Sequence, residues 1–460
     1  MSMHLEKKAE LNRAQLKGTR IAVLGAARSG IAVSKLLVSA GASVLLSEVK
    51  PASQLTVDLT SLQKAGIAVE TGKHSEAVLE SALICISPGL PLDIPILKQA
   101  QQKGIPIVGE IEIASWFCKS PIFAITGSNG KTTTTTLAGQ IFKKNEPSTV
   151  VAGNIGNPFS EFMLNKEQPA YVILEISSFQ LETICSFHPR IAVLMNLTAN
   201  HLDRYPDFDS YAGAKLNILM NMSADDLLIY NGDDSYLCKH LKNSKPRKLV
   251  FSQRPHSLEG AFWEHDTIVI QTEKKQQTIQ LKKYQLQGPH NHYNMMVAAL
   301  LAHLQHIPDK IIALEIAAFS GIEHRLELVR ELNRISFFND SKATTVDSLS
   351  YALQSFPGNI ILIAGGKDKG GDFSEVNQLL KERVKVTILI GQASERMSEA
   401  WTKVIPVLRA RTLPEAVKIA YHHAYPGDIV LLSPACSSFD MFRDYEDRGE
   451  QFKKIVAGLN

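Results

Sequence analysis

The sequence predicts an α/β protein of three domains, each built on a mostly parallel sheet. Three observations predict it. Short apolar, β-branched runs alternate with helical stretches along nearly all of the chain. Many of those runs end in glycine-rich or polar loops, where open parallel sheets place their ligands. And 460 residues exceed what one ordinary core organises, so two to four domains are expected.

Residues 1–110 form the first domain, a Rossmann-like unit. Strands are predicted at 21–24, 43–47, 82–86 and 105–108, with a helix over 31–40 ended by Gly41. The turn after the first strand reads Gly25-Ala26-Ala27-Arg28-Ser29-Gly30. A dinucleotide fingerprint needs a glycine where backbone meets pyrophosphate, and Ala27 stands there instead. Glu48 lies at the distance expected of an acid that binds a ribose hydroxyl. The segment reads as a nucleotide or nucleotide-sugar binder without a redox cofactor, the alternative being a tight turn with no ligand. Ser87-Pro88-Gly89 ends a further strand on the same edge.

Residues 111–321 form the central domain and carry the most informative run, Thr126-Gly127-Ser128-Asn129-Gly130-Lys131-Thr132-Thr133. A strand over 121–125 precedes it and a helix over 134–142 follows. In that context, backbone N–H groups and a helix N-terminus cradle phosphate oxygens. Lys131 would reach the terminal phosphates of ATP, and the Thr132 hydroxyl would hold Mg²⁺. Ile125 stands where the leading glycine of the general phosphate loop is expected. Glu175 ends the apolar strand 171–175, in the place of a metal-organising acid. The strand 191–195 runs into His201, Asp203 and Arg204, which makes His201 a metal ligand, a substrate contact or a structural histidine. Lys215 falls in a predicted helix, 209–220, where pattern alone reads it as solvated. Residues 266–286 alternate and predict an antiparallel insertion. The run 288–294 precedes a helix over 295–304 and reads as an N-cap or a base-binding loop.

Residues 322–460 form the third domain, again Rossmann-like. Strands at 336–338, 360–364, 387–390 and 429–432 alternate with helices at 373–381 and 413–424. Three of the strands end in polar loops, at 340–344, 365–370 and 433–438, and together these suggest a binding edge. His324-Arg325 follows the domain boundary, and the arginine could take a nucleotide phosphate.

Bulk composition narrows the classes. The formal net charge is +3, with hydrophobic residues at 45% and charged ones at 21%. A nucleic-acid or membrane partner gains no support from bulk electrostatics. No apolar run is long enough for a transmembrane helix, and residues 1–20 show no signal-peptide core. The five cysteines are odd in number and widely spaced, so neither a disulfide framework nor a zinc site is expected, and a cytoplasmic location fits.

Taken as a set, the runs T-G-S-N-G-K-T-T (126–133), A-G-N-I-G (152–156), L-E-I-S-S-F-Q-L-E (174–182), N-H-L-D-R-Y (200–205), H-R-L-E (324–327), N-D-S-K-A-T (339–344) and L-L-S-P-A-C-S-S-F-D (431–440) resemble the Mur ligases. The resemblance covers nearly the whole chain. It implies an N-terminal UDP-binding domain, a central P-loop ATPase-like domain and a C-terminal domain for the incoming amino acid. It implies an ATP-dependent, ADP-forming acid–D-amino-acid ligase of cell-wall precursor synthesis, with UDP-N-acetylmuramoyl-L-alanine and D-glutamate as substrates, working as a monomer. Carried over by motif, Ser29, Glu48, Lys50, Ser87 and Gly89 fall at the UDP contacts, and Asn154 and His201 at the muramoyl-peptide side. Gly127 to Thr133, Asn291, Asn294, Arg325 and Asp340 fall at ATP contacts. Thr132, Glu175 and His201 fall at two Mg²⁺ sites, and Lys215 at the lysine that the family carbamylates, which reverses its reading as solvated. Lys342, Thr344, Lys369, Ser438, Phe439 and Tyr445 fall in the D-glutamate region. Asn200 and Tyr445 depart from the aspartate and phenylalanine expected there. A sibling folylpolyglutamate synthase would not need the first domain, and an NAD-dependent oxidoreductase is disfavoured by Ala27 and the ATP loop.

Overall fold

The computed structural model describes residues 13–460, apart from 56, 166, 199–203, 273, 274, 283, 287 and 369. The chain divides into two compact units, Met1–Phe319 and Ser320–Asn460. The first unit holds two sheets and the second holds one.

The first sheet is built from β1 (Arg20–Leu24), β2 (Ser43–Glu48), β3 (Ile67–Thr71), β4 (Leu83–Ile86) and β5 (Ile107–Gly109). All its pairings are parallel, in the order β3-β2-β1-β4-β5. Ile21 to Leu24 are buried on both faces, which is why β1 reads as an unbroken apolar run. Val33, Leu36 and Leu37 of the helix Arg28–Ser39 cover one face. Ile96, Leu97 and Ala100 of the helix Pro95–Gln102 join the apolar cluster on the other. Strand order reverses between β1 and β4. There the turn after β1 meets the loop after β4, with Ser87 Oγ donating to Gly25 O at 3.1 Å.

The second sheet comprises β6 (Ile122–Thr126), β7 (Val150–Gly153), β8 (Val172–Glu175), β9 (Ile191–Leu194), β10 (Leu227–Asn231), β11 (Arg247–Ser252), β12 (Gly260–Glu264), β13 (Thr267–Gln271) and β14 (Gln276–Gln280). Their order is β14-β13-β12-β11-β10-β9-β6-β8-β7. The expected antiparallel segment does form, but as the edge of this same sheet: β12 pairs parallel with β11, β13 runs back against β12, and β14 pairs antiparallel with β13. The helix Pro289–Leu304 packs on the helix Lys131–Asn145. Every residue from Asn294 to Ala302 of that helix is buried, the mark of a helix apolar all round.

The unit Ser320–Asn460 carries β15 (Glu327–Leu332), β16 (Ile335–Asn339), β17 (Ile360–Gly365), β18 (Val384–Ile390), β19 (Val407–Arg409) and β20 (Ile429–Leu432), in the order β15-β16-β20-β17-β18-β19. Only β15 runs antiparallel. Helices Val346–Gln354, Asn377–Arg383 and Ser394–Trp401 cover one face. Helices Leu413–His423 and Tyr445–Ala457 cover the other. The last strand in sequence, β20, inserts between β16 and β17. That insertion sets the loops after β16, β20 and β17 side by side.

The sequence reading places no strand at β10, β11 or β12, nor at β3, β15 and β19. The strands β3, β15 and β19 are sheet edges with partly exposed residues, so none presents the continuous apolar run of a central strand.

Candidate nucleotide and substrate site

Thr126 ends β6, a central strand paired with β8 on one side and β9 on the other. The loop then turns on two glycines. Gly127 has φ +148°, and a Cβ there would sit 2.8 Å from Met195 Cβ. Gly130, φ +82°, is the N-cap of the helix Lys131–Asn145 and offers no side chain to cap it. A helix N-terminus without its own cap is suited to an anion. The segment after β9 braces the loop. Ser128 N–H donates to Asn196 O at 2.9 Å, Asn129 N–H to Asn196 Oδ1 at 2.8 Å, and Ser128 Oγ to Thr198 O at 2.9 Å. Lys131 Nζ folds back onto the loop, donating to Gly127 O at 2.8 Å and Ser128 O at 2.9 Å. Thr132 is buried and Thr133 half-buried on the first turn.

Glu175 lies opposite Ile125 in the ladder between β6 and β8, one residue before the loop begins. It is 1% exposed. Its Oε1 accepts from Asn154 Nδ2 at 2.7 Å, while Oε2 is buried without a hydrogen-bond partner among the described residues. A buried carboxylate oxygen left unmade costs about 1–3 kcal/mol, so the site is shaped for a group that would satisfy it. Oxygen donors such as the Glu175 carboxylate and the Thr132 hydroxyl suit a hard cation, and they fit Mg²⁺. His201 lies outside the described residues.

Lys215 is not solvated. It sits in the last turn of the helix Phe208–Leu216, 2% exposed. Nζ lies 3.5 Å from Thr126 Oγ1 and 4.9 Å from the Tyr211 ring centroid. Burial, reinforced by the neighbouring Lys131 charge and opposed by Glu175, holds its pKa well below the ordinary lysine value. The neutral amine this favours is the form that adds to CO₂. The sequence could not show it, because burial of one helical lysine depends on what packs over it.

Asn294 lies inside the helix Pro289–Leu304, not in a loop before it. It is buried, and its Oδ1 accepts from Thr134 Oγ1 at 3.1 Å. A Cβ on Gly130 would lie 2.6 Å from the same oxygen. Asn294 therefore braces the phosphate loop from behind, and Asn291 Oδ1 accepts from its Nδ2 at 3.1 Å.

In the first domain, Glu48, expected at a ribose hydroxyl, is held by the turn after β1. Its Oε2 accepts from Ala26 N–H at 2.8 Å and its Oε1 from Lys50 N–H at 3.1 Å. Burial opposes its ionisation, but those amides with Lys50 and His74 hold its pKa below the ordinary value. Ser29 is on the first turn of the adjacent helix. Gly89 has φ +89° and Ser87 is buried.

In the unit Ser320–Asn460, Asp340, Lys342 and Thr344 follow β16, and Ser438 and Phe439 follow β20. Tyr445 opens the last helix, with Lys342 Nζ 5.8 Å from its ring centroid. Ser438 is buried and Phe439 is 68% exposed. Lys369 lies outside the described residues. Arg325 is flanked by His324 and Leu326, at φ +62° and +46°. Such left-handed backbone is costly for these residues and collects at functional segments. Asp340 is buried, accepting from Ser433 Oγ at 2.8 Å and Leu326 N–H at 3.2 Å. Burial raises its pKa to about 7 against the pull of Ser433, Arg325 and Arg448.

Sequence reasoning missed Arg448. It is 0% exposed. Its guanidinium donates to Ser341 Oγ at 2.9 Å, Ser341 O at 2.8 Å, Cys436 O at 3.2 Å and Gly365 O at 3.5 Å. One side chain thus ties the ends of β16, β20 and β17. The only signal in the sequence is an arginine on the apolar side of the last helix.

The first unit therefore presents a strand–loop–helix phosphate cradle with a buried carboxylate and a buried lysine, beside a Rossmann-like sheet with its own ligand edge. Residues 19–109 match the MurD-like N-terminal domain, 125–302 the Mur ligase middle domain, and 324–436 the Mur ligase glutamate ligase domain. The chain is 43% identical over 465 residues to the UDP-N-acetylmuramoylalanine--D-glutamate ligase of Chloroherpeton thalassium, covering 97% of this chain and 99% of that one. It is 39% identical to the ligase of the same name from Salinibacter ruber, covering 97% and 99%. Among solved structures it is similar to MurF ligase from Thermotoga maritima in complex with ADP, at TM-score 0.58 and 16% identity over 99% of each chain. UDP-N-acetylmuramate-alanine ligase MurC from the same organism gives TM-score 0.57 at 19% identity, over 95% and 99%. The chain belongs to the Mur ligase family.

Proposed function

We propose that the protein is an ATP-dependent ligase that joins D-glutamate to UDP-N-acetylmuramoyl-L-alanine, forming ADP and phosphate. The observation that carries the reading is identity of about 40% over 97% of the chain to relatives named for that reaction. The phosphate loop, the unsatisfied Glu175 oxygen and the buried Lys215 support its chemistry. No helix among the described residues is long and apolar enough to cross a membrane, and we read the enzyme as a cytoplasmic monomer.

A carboxylate is a poor acyl donor at neutral pH. ATP phosphorylates the alanyl carboxylate to an acyl phosphate. Loop amides of residues 127–133 and the Lys131 ammonium hold the phosphates and spread the charge of the transferring group. Lys131 must exchange its loop carbonyls for phosphate oxygens, which is a local side-chain movement. Thr132, Glu175, His201 and Lys215 as a carbamate would hold Mg²⁺, which supplies charge neutralisation at the phosphates when bound. Asn294 keeps the loop in shape. Asn291, Arg325 and Asp340 are assigned to ATP. Ser29, Glu48, Lys50, Ser87, Gly89 and Asn154 are assigned to the UDP-sugar, and His201 also to its peptide end. D-glutamate is assigned to Lys342, Thr344, Lys369, Ser438, Phe439 and Tyr445. Its neutral amine attacks the acyl carbon, and the tetrahedral intermediate expels phosphate to leave the amide.

The test is phosphate release over a panel of amino acids with UDP-N-acetylmuramoyl-L-alanine and ATP. Release requires D-glutamate and the nucleotide sugar together. Equal turnover with L-glutamate, or none with D-glutamate, overturns the proposal.

A further inference from the structure

The helix Pro289–Leu304 starts at Gly288, an N-cap at φ +92° that has no side chain to offer, with Pro289 first in the helix. A first turn without a side-chain cap needs other contacts to stay ordered. That turn carries Asn291. Its Oδ1 accepts from Asn294 Nδ2 at 3.1 Å, while Asn294 Oδ1 accepts from Thr134 Oγ1 at 3.1 Å. One side of the turn is thereby tied to the helix that follows the phosphate loop.

The other side rests on β12 and the segments around it. The His292 ring lies flat on Trp263 of β12, with ring centroids 3.9 Å apart and planes 4° apart. Tyr284 stands edge-on to both rings, 5.7 Å from Trp263 and 6.3 Å from His292. Its hydroxyl donates to Asp266 Oδ1 at 2.5 Å. Gln253, just past β11, holds both the ring and the turn. Its Nε2 donates to Pro289 O at 2.8 Å, which leaves Oε1 facing His292 Nδ1 at 3.3 Å. An amide oxygen only accepts, so the network assigns the proton to Nδ1. Burial, opposed by Asp266, lowers the His292 pKa and favours the neutral ring.

The phosphate cradle makes no use of this cluster. A flat stack between a helix's first turn and a strand fixes how that turn is rotated about the helix axis, and His292 is the neighbour of Asn291. The Asn291 carboxamide offers a donor and an acceptor side by side. That pattern matches the N6–H and N7 edge of adenine, whereas guanine presents two acceptors there. Asn291 Oδ1 has a second lone pair beyond the one that Asn294 uses. A two-point match of this kind requires the amide to be held within a fraction of an ångström by its surroundings. The inference rests on the assignment of Asn291 to ATP above.

We propose that Trp263 and His292 are positioning residues: their stack fixes the first turn of the helix Pro289–Leu304 and, through Asn291, sets the preference for adenine over guanine nucleotides.

The experiment is steady-state kinetics of the full-length enzyme with ATP and with GTP, at saturating nucleotide sugar and D-glutamate. The variants are His292→Ala, His292→Phe, Trp263→Ala and Gln253→Ala. Wild type is expected to prefer ATP in kcat/KM by roughly tenfold or more. His292→Ala and Trp263→Ala each raise the KM for ATP roughly threefold to tenfold, with less than about a twofold change in the KM for GTP or for D-glutamate. His292→Phe, which puts a ring back on Trp263, recovers most of the ATP preference. Gln253→Ala leaves the stack in place and raises the KM for ATP about threefold; it decides the matter where a stack variant does not fold. An unchanged ATP-to-GTP ratio in the alanine variants overturns the proposal, as does a wild type without preference. So does an equal loss for both nucleotides, which would mark a merely structural role, or a His292→Phe as impaired as His292→Ala. Failure of wild type to turn over either nucleotide overturns the functional reading itself, independently of the stack.

Discussion

Replacing Asp340 with asparagine is expected to stabilise the unit Ser320–Asn460 at neutral pH, although it removes a side chain that the proposed function assigns to ATP. Asp340 is 5% exposed and meets Ser433 Oγ, the Leu326 amide, and the Arg325 and Arg448 charges, with Tyr351 nearby. Burial outweighs these partners and lifts its pKa from 3.8 to about 7. The folded pKa lies above the unfolded one, so between those values the folded chain binds more protons than the unfolded chain. Stability therefore falls as pH rises through that window. At about 1.4 kcal/mol per pH unit, the span from 3.8 to about 7 amounts to about 4 kcal/mol by pH 8. Asparagine has no such titration. It keeps one acceptor for the Leu326 amide and loses part of the Ser433 bond, at a cost of about 1 kcal/mol. The net expectation is a gain of about 3 kcal/mol near pH 8 and about zero near pH 4.5, where the unfolded chain's ionisation already offsets the lost bond. The chain has three tryptophans, and Trp401 is wholly buried in this unit, its Nε1 donating to Phe373 O at 2.8 Å. With Trp116→Phe and Trp263→Phe in the background, Trp401 fluorescence in urea reports this unit alone. Wild-type and variant stabilities that run parallel from about pH 4.5 to pH 8 would refute the reasoning.

Two further predictions follow from buried basic side chains. Lys215→Ala should lower kcat by roughly a hundredfold or more, and steady-state rates across Mg²⁺ concentration check it; near-normal activity at low Mg²⁺ would rule out the carbamate. Arg448→Met should raise the KM for D-glutamate roughly tenfold while the KM for ATP changes little. It should also cost about 3 kcal/mol of stability in the same Trp401 assay, because carbonyls of Ser341 and Cys436 lose their buried donor. A uniform rise in every KM would show Arg448 to be scaffold only.

Much of this protein is decided by neighbours in sequence. The phosphate loop is spelled by adjacent residues, since Gly127 and Gly130 need positive φ and Lys131 and Thr132 follow one strand into one helix. The central strands are legible because burial on both faces forces unbroken apolar runs, as at β1, β6, β8 and β17. Those local rules also gave the loops of the third sheet and the acid Glu175. Tertiary structure alone decided the rest. It decided that β20 inserts between β16 and β17, so that their loops adjoin. It decided that Lys215 is buried beside Thr126 and that Asn294 braces the phosphate loop across 160 residues. It decided that Arg28, Arg204 and Arg448 bond carbonyls 128, 115 and 107 residues away. The reason is physical. Strand, turn and cap preferences are properties of a few consecutive residues, whereas the charge state and partner of a buried side chain depend on whatever distant element packs over it.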